Sequence, residues 1–118
     1  MYKRQVLHRL QHRHALWPFD PLPEYGSVLV EIYTTLAAIA AGRTAAKSKI
    51  RDYGALNAAL VALDSKPVRG RGAITDHAAD ALISAAWLRT IAHDPAMWSP
   101  PLLTPEIAQT EGWTFGAA

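Results

Sequence analysis

The chain has 118 residues, of which half are hydrophobic and 19% are charged, and this composition is typical of one globular domain or part of one. It contains no cysteine, which excludes a disulfide framework and a thiolate metal site. Twelve basic and ten acidic residues give a formal net charge of +2, which on its own favours a nucleic-acid partner.

The first five residues, Met1–Gln5, resemble the in-frame translation of a transposon adapter used in sequencing libraries. We therefore expect them to be an artefact, with residues 6–118 forming a partial domain whose natural chain begins further upstream. Without Lys3 and Arg4, the ten remaining basic residues balance the ten acidic ones, so the net charge says little about partners.

The chain has no sequence features of export or membrane insertion. The basic residues at the N-terminus are not followed by an apolar segment, as a secretory signal requires. The longest apolar run, Leu36–Ala41, is far shorter than the roughly 20 residues that span a bilayer. We expect a cytoplasmic protein with no membrane partner.

The N-terminal third of the chain predicts one good strand. Val6–His14 has apolar residues at helical spacing and reads as the end of a helix. Prolines break that helix, and Trp17 and Phe19 are candidates for a short edge strand. Ser27–Tyr33 alternates with apolar residues on both faces, which predicts a strand that is covered on both sides, as in an α/β sheet.

The rest of the chain predicts three helices, separated by polar loops and followed by a proline-rich segment and a short terminal strand or docked tail. The helices are expected from Thr34 or Thr35 to Ala41, from about Ile50 to Asp64, and from Thr75 or Asp76 to about His93. Leu56, Leu60 and Leu63 should line the core side of the second helix, and Leu82, Ile83 and Trp87 should be buried on the third. One good strand is too few for a parallel α/β domain, so we expect that the sheet-forming half is missing.

The third helix carries the most informative acidic pair. Asp76 and Asp80 are four residues apart and therefore share one helix face, which His77 borders. Asp76 lies in the first turn, where the helix dipole favours a carboxylate, so a role as helix cap is sufficient to explain it. Asp80 precedes a nearly uniform apolar run, so its carboxylate is expected either at the solvent-exposed edge of the helix or in a functional site.

Glu31 is the second unusual acid, because the other residues of its predicted strand are largely apolar. An ionised carboxylate there is costly unless it is paired, bound to a metal or at the exposed end of the strand. Together with the acids of the third helix it would form an oxygen-rich site suited to Mg²⁺ or Mn²⁺. The alternative is structural: Glu31 could form an ion pair with Lys47 or Lys49, and His77 could be a surface residue.

Several segments together resemble the predicted ribonuclease-H-like nucleases classified as domain of unknown function family 429. These segments are Trp17–Asp20, Val30–Thr34, Lys47–Asp52, Thr75–Leu82 and Glu111–Gly116. The resemblance covers nearly everything after the first five residues. The helix Ala78–Leu82 is also similar to the last catalytic helix of bacterial Holliday-junction resolvases, which share the ribonuclease-H-like fold.

The resemblance implies an α/β fold, with this chain as the C-terminal half of a ribonuclease-H-like domain made of one or two strands and about three helices. It implies that Glu31 and Asp80 bind Mg²⁺ or Mn²⁺, that His77 is the other ligand on the helix, and that Asp76 is a cap or an additional site residue. Lys47 and Lys49 become weak candidates for contacts with nucleic-acid phosphates, although a solvated connector also explains them.

One feature of the family has no counterpart in this chain, namely a first strand that carries a metal-binding aspartate. Asp20 does not replace it, because Asp20 lies among prolines. We therefore expect part of a metal-dependent nuclease that hydrolyses phosphodiester bonds, that binds nucleic acid in its intact form, and that is inactive and prone to self-association as this chain. The alternative is a non-catalytic α/β scaffold or interaction domain.

Overall fold

The computed structural model describes residue 5, residues 8 and 9, and residues 14–118. The helical segment predicted over Val6–His14 lies mostly outside them. The described residues form a mixed α/β structure with five α-helices and a two-stranded parallel sheet. They divide into two compact units, Met1–Glu31 with Ser99–Ala118, and Ile32–Trp98. None of the helices in the described part of the chain has the length and apolar character needed to span a bilayer.

The sheet of the first unit consists of β1 (Ala15–Leu16) and β2 (Val28–Leu29), which pair in parallel. The prediction of an edge strand at Trp17 and Phe19 is wrong, because both residues lie in the turn that follows β1. The backbone N–H of Trp17 still donates to the carbonyl oxygen of Leu29 at 3.0 Å. The chain turns immediately afterwards, because the carboxylate of Asp20 accepts a hydrogen bond from the backbone N–H of Leu16 at 2.8 Å.

The strand predicted over Ser27–Tyr33 is much shorter than expected. Only Val28–Leu29 pairs as a strand, and Glu31 forms an isolated parallel bridge with Thr114. No residue of the segment is fully buried, and Glu31 and Tyr33 are exposed, so the expectation of a strand covered on both sides is wrong. The apolar residues alternate as a strand requires, but β1 has only two residues, so only two residues of this segment can pair with it.

The core of the first unit is aromatic. Phe115 is fully buried, Trp17 is 5% exposed, and their rings meet edge to face with centroids 5.5 Å apart. The backbone N–H of Phe115 donates to the carbonyl oxygen of Glu31 at 2.8 Å, beside the bridge between Glu31 and Thr114. The C-terminal segment is therefore docked beside β2, as the sequence predicted.

The second unit contains four of the five α-helices and the largest hydrophobic core. The helices are α1 (Thr34–Ala40), α2 (Tyr53–Ala62), α3 (Asp76–Ile91) and α4 (Pro95–Trp98), with a short 3-10 helix (Ala45–Lys47) after α1. Helices α1 and α2 both pack against α3. The core includes the predicted Leu56, Leu60 and Leu63, together with Ile83 and Trp87. Leu82 is 36% exposed, so its predicted burial is wrong.

Side-chain caps explain where two of these helices begin. The Oδ1 atom of Asp52 accepts from the backbone N–H of Ala55 at 2.7 Å, and the Oγ1 atom of Thr75 accepts from that of Ala78 at 3.2 Å. Thr75 is thus the predicted cap of α3. The predicted cap of α1 is wrong: the cap position is Tyr33, which makes no side-chain cap bond, and Thr34 is the first helical residue.

The basic loop from Lys66 to Gly72 is exposed for most of its length. It is anchored at its centre, because the side-chain amide of Asn57 both donates to and accepts from the backbone of Val68, at 3.1 and 2.9 Å. The ring of Tyr53 lies against Gly70 so closely that a Cβ atom at position 70 would be 2.3 Å from its Cε1 atom.

Two short helices lie in the segment that the sequence analysis left irregular. One is α4, where the carboxylate of Asp94 accepts from the backbone N–H of Ala96 at 3.0 Å. The other is α5 (Pro105–Thr110) in the first unit, where the Oγ1 atom of Thr104 caps the helix by accepting from Ile107 at 3.2 Å. Threonine at the cap followed by proline at the first helical position is a recognisable start signal.

Candidate functional site

Asp76 occupies the first position of α3 and is exposed. Its Oδ2 atom lies 3.9 Å from the Nζ atom of Lys49, and both side chains are about half exposed, at 48% and 57%. An exposed ion pair of this length contributes little to stability. The helix dipole and this ion pair are enough to explain Asp76, which agrees with the structural interpretation of that residue.

Asp80 lies one turn further along the same face of α3 and is half-buried. It lines a small polar cavity of about 20 Å³, together with Thr34 and Thr35 of α1 and Ser48 and Lys49 of the connector. A cavity of this size holds about one water molecule or one monatomic ion. The segments that form this Asp80 cavity all belong to the second unit, and the packing of α1 against α3 brings them together.

Asp80 differs from Asp52, Asp76 and Asp94 of the same unit in its surroundings. Within the part of the chain that the structure describes, no hydrogen bond or ion pair to its carboxylate is present. By contrast, Asp52 and Asp94 accept hydrogen bonds from backbone N–H groups. Half-burial of an ionised carboxylate has a desolvation cost, which a bound water molecule or cation would offset.

The donor atoms around Asp80 suit a hard cation only in part. The residues that line the cavity carry one carboxylate and three hydroxyl groups, and Mg²⁺ and Mn²⁺ prefer oxygen ligands. Mg²⁺ often binds one or two carboxylates, several waters and a substrate phosphate, so a single carboxylate is compatible with it. The ammonium group of Lys49 at the same cavity opposes a cation. No group of three or more histidine or acidic side chains capable of holding a metal occurs among the described residues.

The remaining predicted site residues lie elsewhere. His77 is exposed and is not among the residues that line the Asp80 cavity. Lys47 is exposed at the end of the 3-10 helix, where its backbone carbonyl accepts a hydrogen bond from the guanidinium of Arg43 at 2.9 Å. Of the two lysines proposed as phosphate contacts, only Lys49 lines the cavity.

Glu31 belongs to the first unit and Asp80 to the second, so the predicted approach of their two carboxylates stays a prediction. Within its own unit, Glu31 is exposed and lines two adjoining cavities together with Glu111 and Trp113. Trp113 is half-buried, and its indole Nε1 donates to the carbonyl of Ala117 at 3.4 Å.

The chain was compared with protein-family models, with curated proteins and with solved structures. None of them matches it. The candidate site is therefore argued only from its geometry and from the resemblance of several sequence segments to ribonuclease-H-like nucleases.

Sequence reasoning identified Asp80 and Lys49 but missed the hydroxyl groups around them. Thr34 and Thr35 were considered only as helix caps, and Ser48 only as part of a polar connector. A signal was present in the run Lys47-Ser48-Lys49, which places a small hydroxyl residue between two cations. Its position beside Asp80 depends on how α1 packs against α3, which no local pattern encodes.

Proposed function

We propose that this chain is part of a metal-dependent phosphodiester hydrolase with a ribonuclease-H-like fold, and that the Asp80 cavity belongs to its active site. The observation that carries the proposal is the half-buried carboxylate of Asp80, which has no partner among the described residues and faces an oxygen-lined cavity. The parallel pairing of β1 with β2 is compatible with the fold. The resemblance of the Thr75–Leu82 helix to nuclease and resolvase helices supplies the reaction class.

In this proposal Asp80 is a ligand of Mg²⁺ or Mn²⁺, and the family resemblance implies Glu31 as a further ligand. The metal would supply activation of water and stabilisation of the leaving oxygen. Lys49 would contact a phosphate group of a nucleic-acid substrate, because it lines the same cavity and half of its side chain is open to solvent. His77 and Asp76 lie in the first turn of α3.

A non-catalytic α/β scaffold is the second candidate, and two observations favour it. The described residues contain no cluster of three potential metal ligands, and Asp76 already has an ion-pair partner in Lys49. In that case the acids of α3 act as caps and solvated surface charges. The two candidates differ in what they predict for Asp80, which is a ligand in one and dispensable in the other.

The experiment begins by extending the reading frame upstream and looking for a strand that carries an aspartate. The extended protein is then assayed for Mg²⁺-dependent cleavage of single-stranded RNA, duplex DNA and a four-way junction. We expect cleavage of at least one substrate, lost in Asp80→Asn and retained in Asp64→Asn, an exposed acid outside the cavity. The 118-residue chain itself should not cleave, because it lacks one metal ligand of the family. No aspartate upstream and no cleavage would support the scaffold.

A further inference from the structure

The first unit contains a cavity whose lining residues all differ from those of the Asp80 cavity. It has a volume of about 180 Å³ and lies between the turn after β1 and the C-terminal segment. Three aromatic residues line it, Trp17, Phe19 and Trp113, and its surface is predominantly apolar. Pockets for drug-sized ligands measure about 300–1,000 Å³, so this cavity suits a compact group with few heavy atoms.

The walls of this aromatic cavity are held by contacts within the same unit. The ring of Trp17 packs against the fully buried Phe115. The side-chain amide of Gln109 donates to the carbonyl oxygen of Phe19 at 2.9 Å, which ties the turn after β1 to α5. The Phe19 ring also lies close to Gly112, where a Cβ atom would be 3.0 Å from its Cζ atom. The cavity is therefore largely formed before any ligand arrives.

Acidic side chains lie at the aromatic cavity. Glu31 and Glu111 line it, and both also line a more open adjoining cavity of about 370 Å³ near the C-terminus. No lysine or arginine is among the described residues that line either space. Aromatic faces attract cations through the ring quadrupole, and the carboxylate of Glu111 adds to that attraction.

We propose that the aromatic cavity binds a compact organic cation, specifically the head group of an alkylated ammonium ion. The apolar walls would contact the methyl groups, the aromatic rings and Glu111 would stabilise the charge, and the small volume would exclude larger ligands. Sugars and phosphates do not fit these walls, because the hydroxyl groups of a sugar would find few partners and the negative charge of a phosphate would be repelled by Glu111. The site does not depend on the proposed hydrolase activity.

The test uses the indole N–H signals of the four tryptophans in the full chain, recorded by two-dimensional NMR during titration with choline. We expect the Trp17 and Trp113 signals to move and to saturate with a Kd of about 1 mM. The signals of Trp87 and Trp98, which belong to the other unit, should stay in place. The neutral isostere 3,3-dimethyl-1-butanol should bind at least about fivefold more weakly, because it lacks the charge that the rings attract.

Variants separate the charge from the shape of the cavity. Glu111→Gln should weaken choline binding about fivefold, whereas Glu106→Gln, an exposed acid on α5 outside the cavity, should leave it unchanged. Trp113→Leu should weaken binding by about tenfold. A peptide carrying trimethyllysine is titrated in parallel, and tighter binding of the peptide than of choline would assign the site to a methylated protein tail.

Three outcomes would overturn the proposal. The neutral isostere could bind as tightly as choline, the two glutamate substitutions could have equal effects, or neither cation could cause saturable shifts.

Discussion

Replacement of Asp80 by alanine should not destabilise the protein, whereas replacement of Thr75 by alanine should. Thr75 caps α3 through a hydrogen bond to the backbone N–H of Ala78, and that bond is lost in Thr75→Ala. Asp80 has no hydrogen bond or ion pair within the described part of the chain, so Asp80→Ala removes none there. A carboxylate kept for function and not for folding is expected to behave in this way.

The magnitudes follow from these local contacts. Loss of a threonine cap typically costs about 1 kcal/mol, within a range of roughly 0.5–2 kcal/mol. In Asp80→Ala, alanine gains up to about 0.7 kcal/mol in helix propensity, and relief of the repulsion from Asp76 adds about 0.2–0.5 kcal/mol. A weaker interaction with the helix dipole offsets part of this gain. We therefore expect Asp80→Ala to change the free energy of unfolding by between zero and about +1 kcal/mol.

The assay is urea denaturation of both variants and the parent chain, followed by circular dichroism at 222 nm, with thermal melts as a second readout. Thr75→Ala should lower the midpoint of the melt by about 4 °C, and Asp80→Ala should leave it unchanged or raise it slightly. A loss of 1 kcal/mol or more in Asp80→Ala would refute the reasoning, because it would show that the carboxylate stabilises the fold.

Three further predictions concern packing and association. Leu56→Ala should cost about 2–5 kcal/mol because Leu56 is fully buried, whereas Val61→Ala, at a position 59% exposed on the same helix, should stay within about 0.5 kcal/mol in the same denaturation experiment. Gly70→Ala should be destabilising because the new Cβ atom would meet the ring of Tyr53 at 2.3 Å, and the loss should shrink in a Tyr53→Ala background if that contact is its cause. The isolated chain should self-associate in sedimentation experiments, because its two-residue strands leave backbone groups unpaired; a monomer with a single sharp melt would contradict this.

The parts of the fold that the sequence predicts well are those governed by local signals. Helix α3 was expected from Thr75 or Asp76 to about His93 and is observed over Asp76–Ile91, because a threonine cap and the Asp94-Pro95 stop are both local. The leucine stripe of α2 is buried as its spacing indicated. The start of α5 was also encoded locally, in Thr104-Pro105, but the prolines around it obscured the signal.

The strand and the site depend on contacts between distant segments, and there the sequence was less informative. Alternation over Ser27–Tyr33 indicated a seven-residue strand, yet the pairing that forms is limited by how few residues β1 supplies. Asp80 stood out as an acid before an apolar run, but its hydroxyl neighbours Thr34 and Ser48 are more than thirty residues away along the chain. Leu82 was expected to be buried with Ile83, although it lies on the outer side of α3.

The central claim, that Asp80 is a metal ligand, is tested most directly by paramagnetic broadening with Mn²⁺. Amide signals of Thr34, Thr35, Ser48 and Lys49 should broaden selectively when substoichiometric Mn²⁺ is added, because these residues line the same cavity as Asp80. The broadening should disappear in Asp80→Asn. Broadening that is spread over the surface acids, or that persists unchanged in Asp80→Asn, would contradict the account and leave Asp80 as a solvated surface charge.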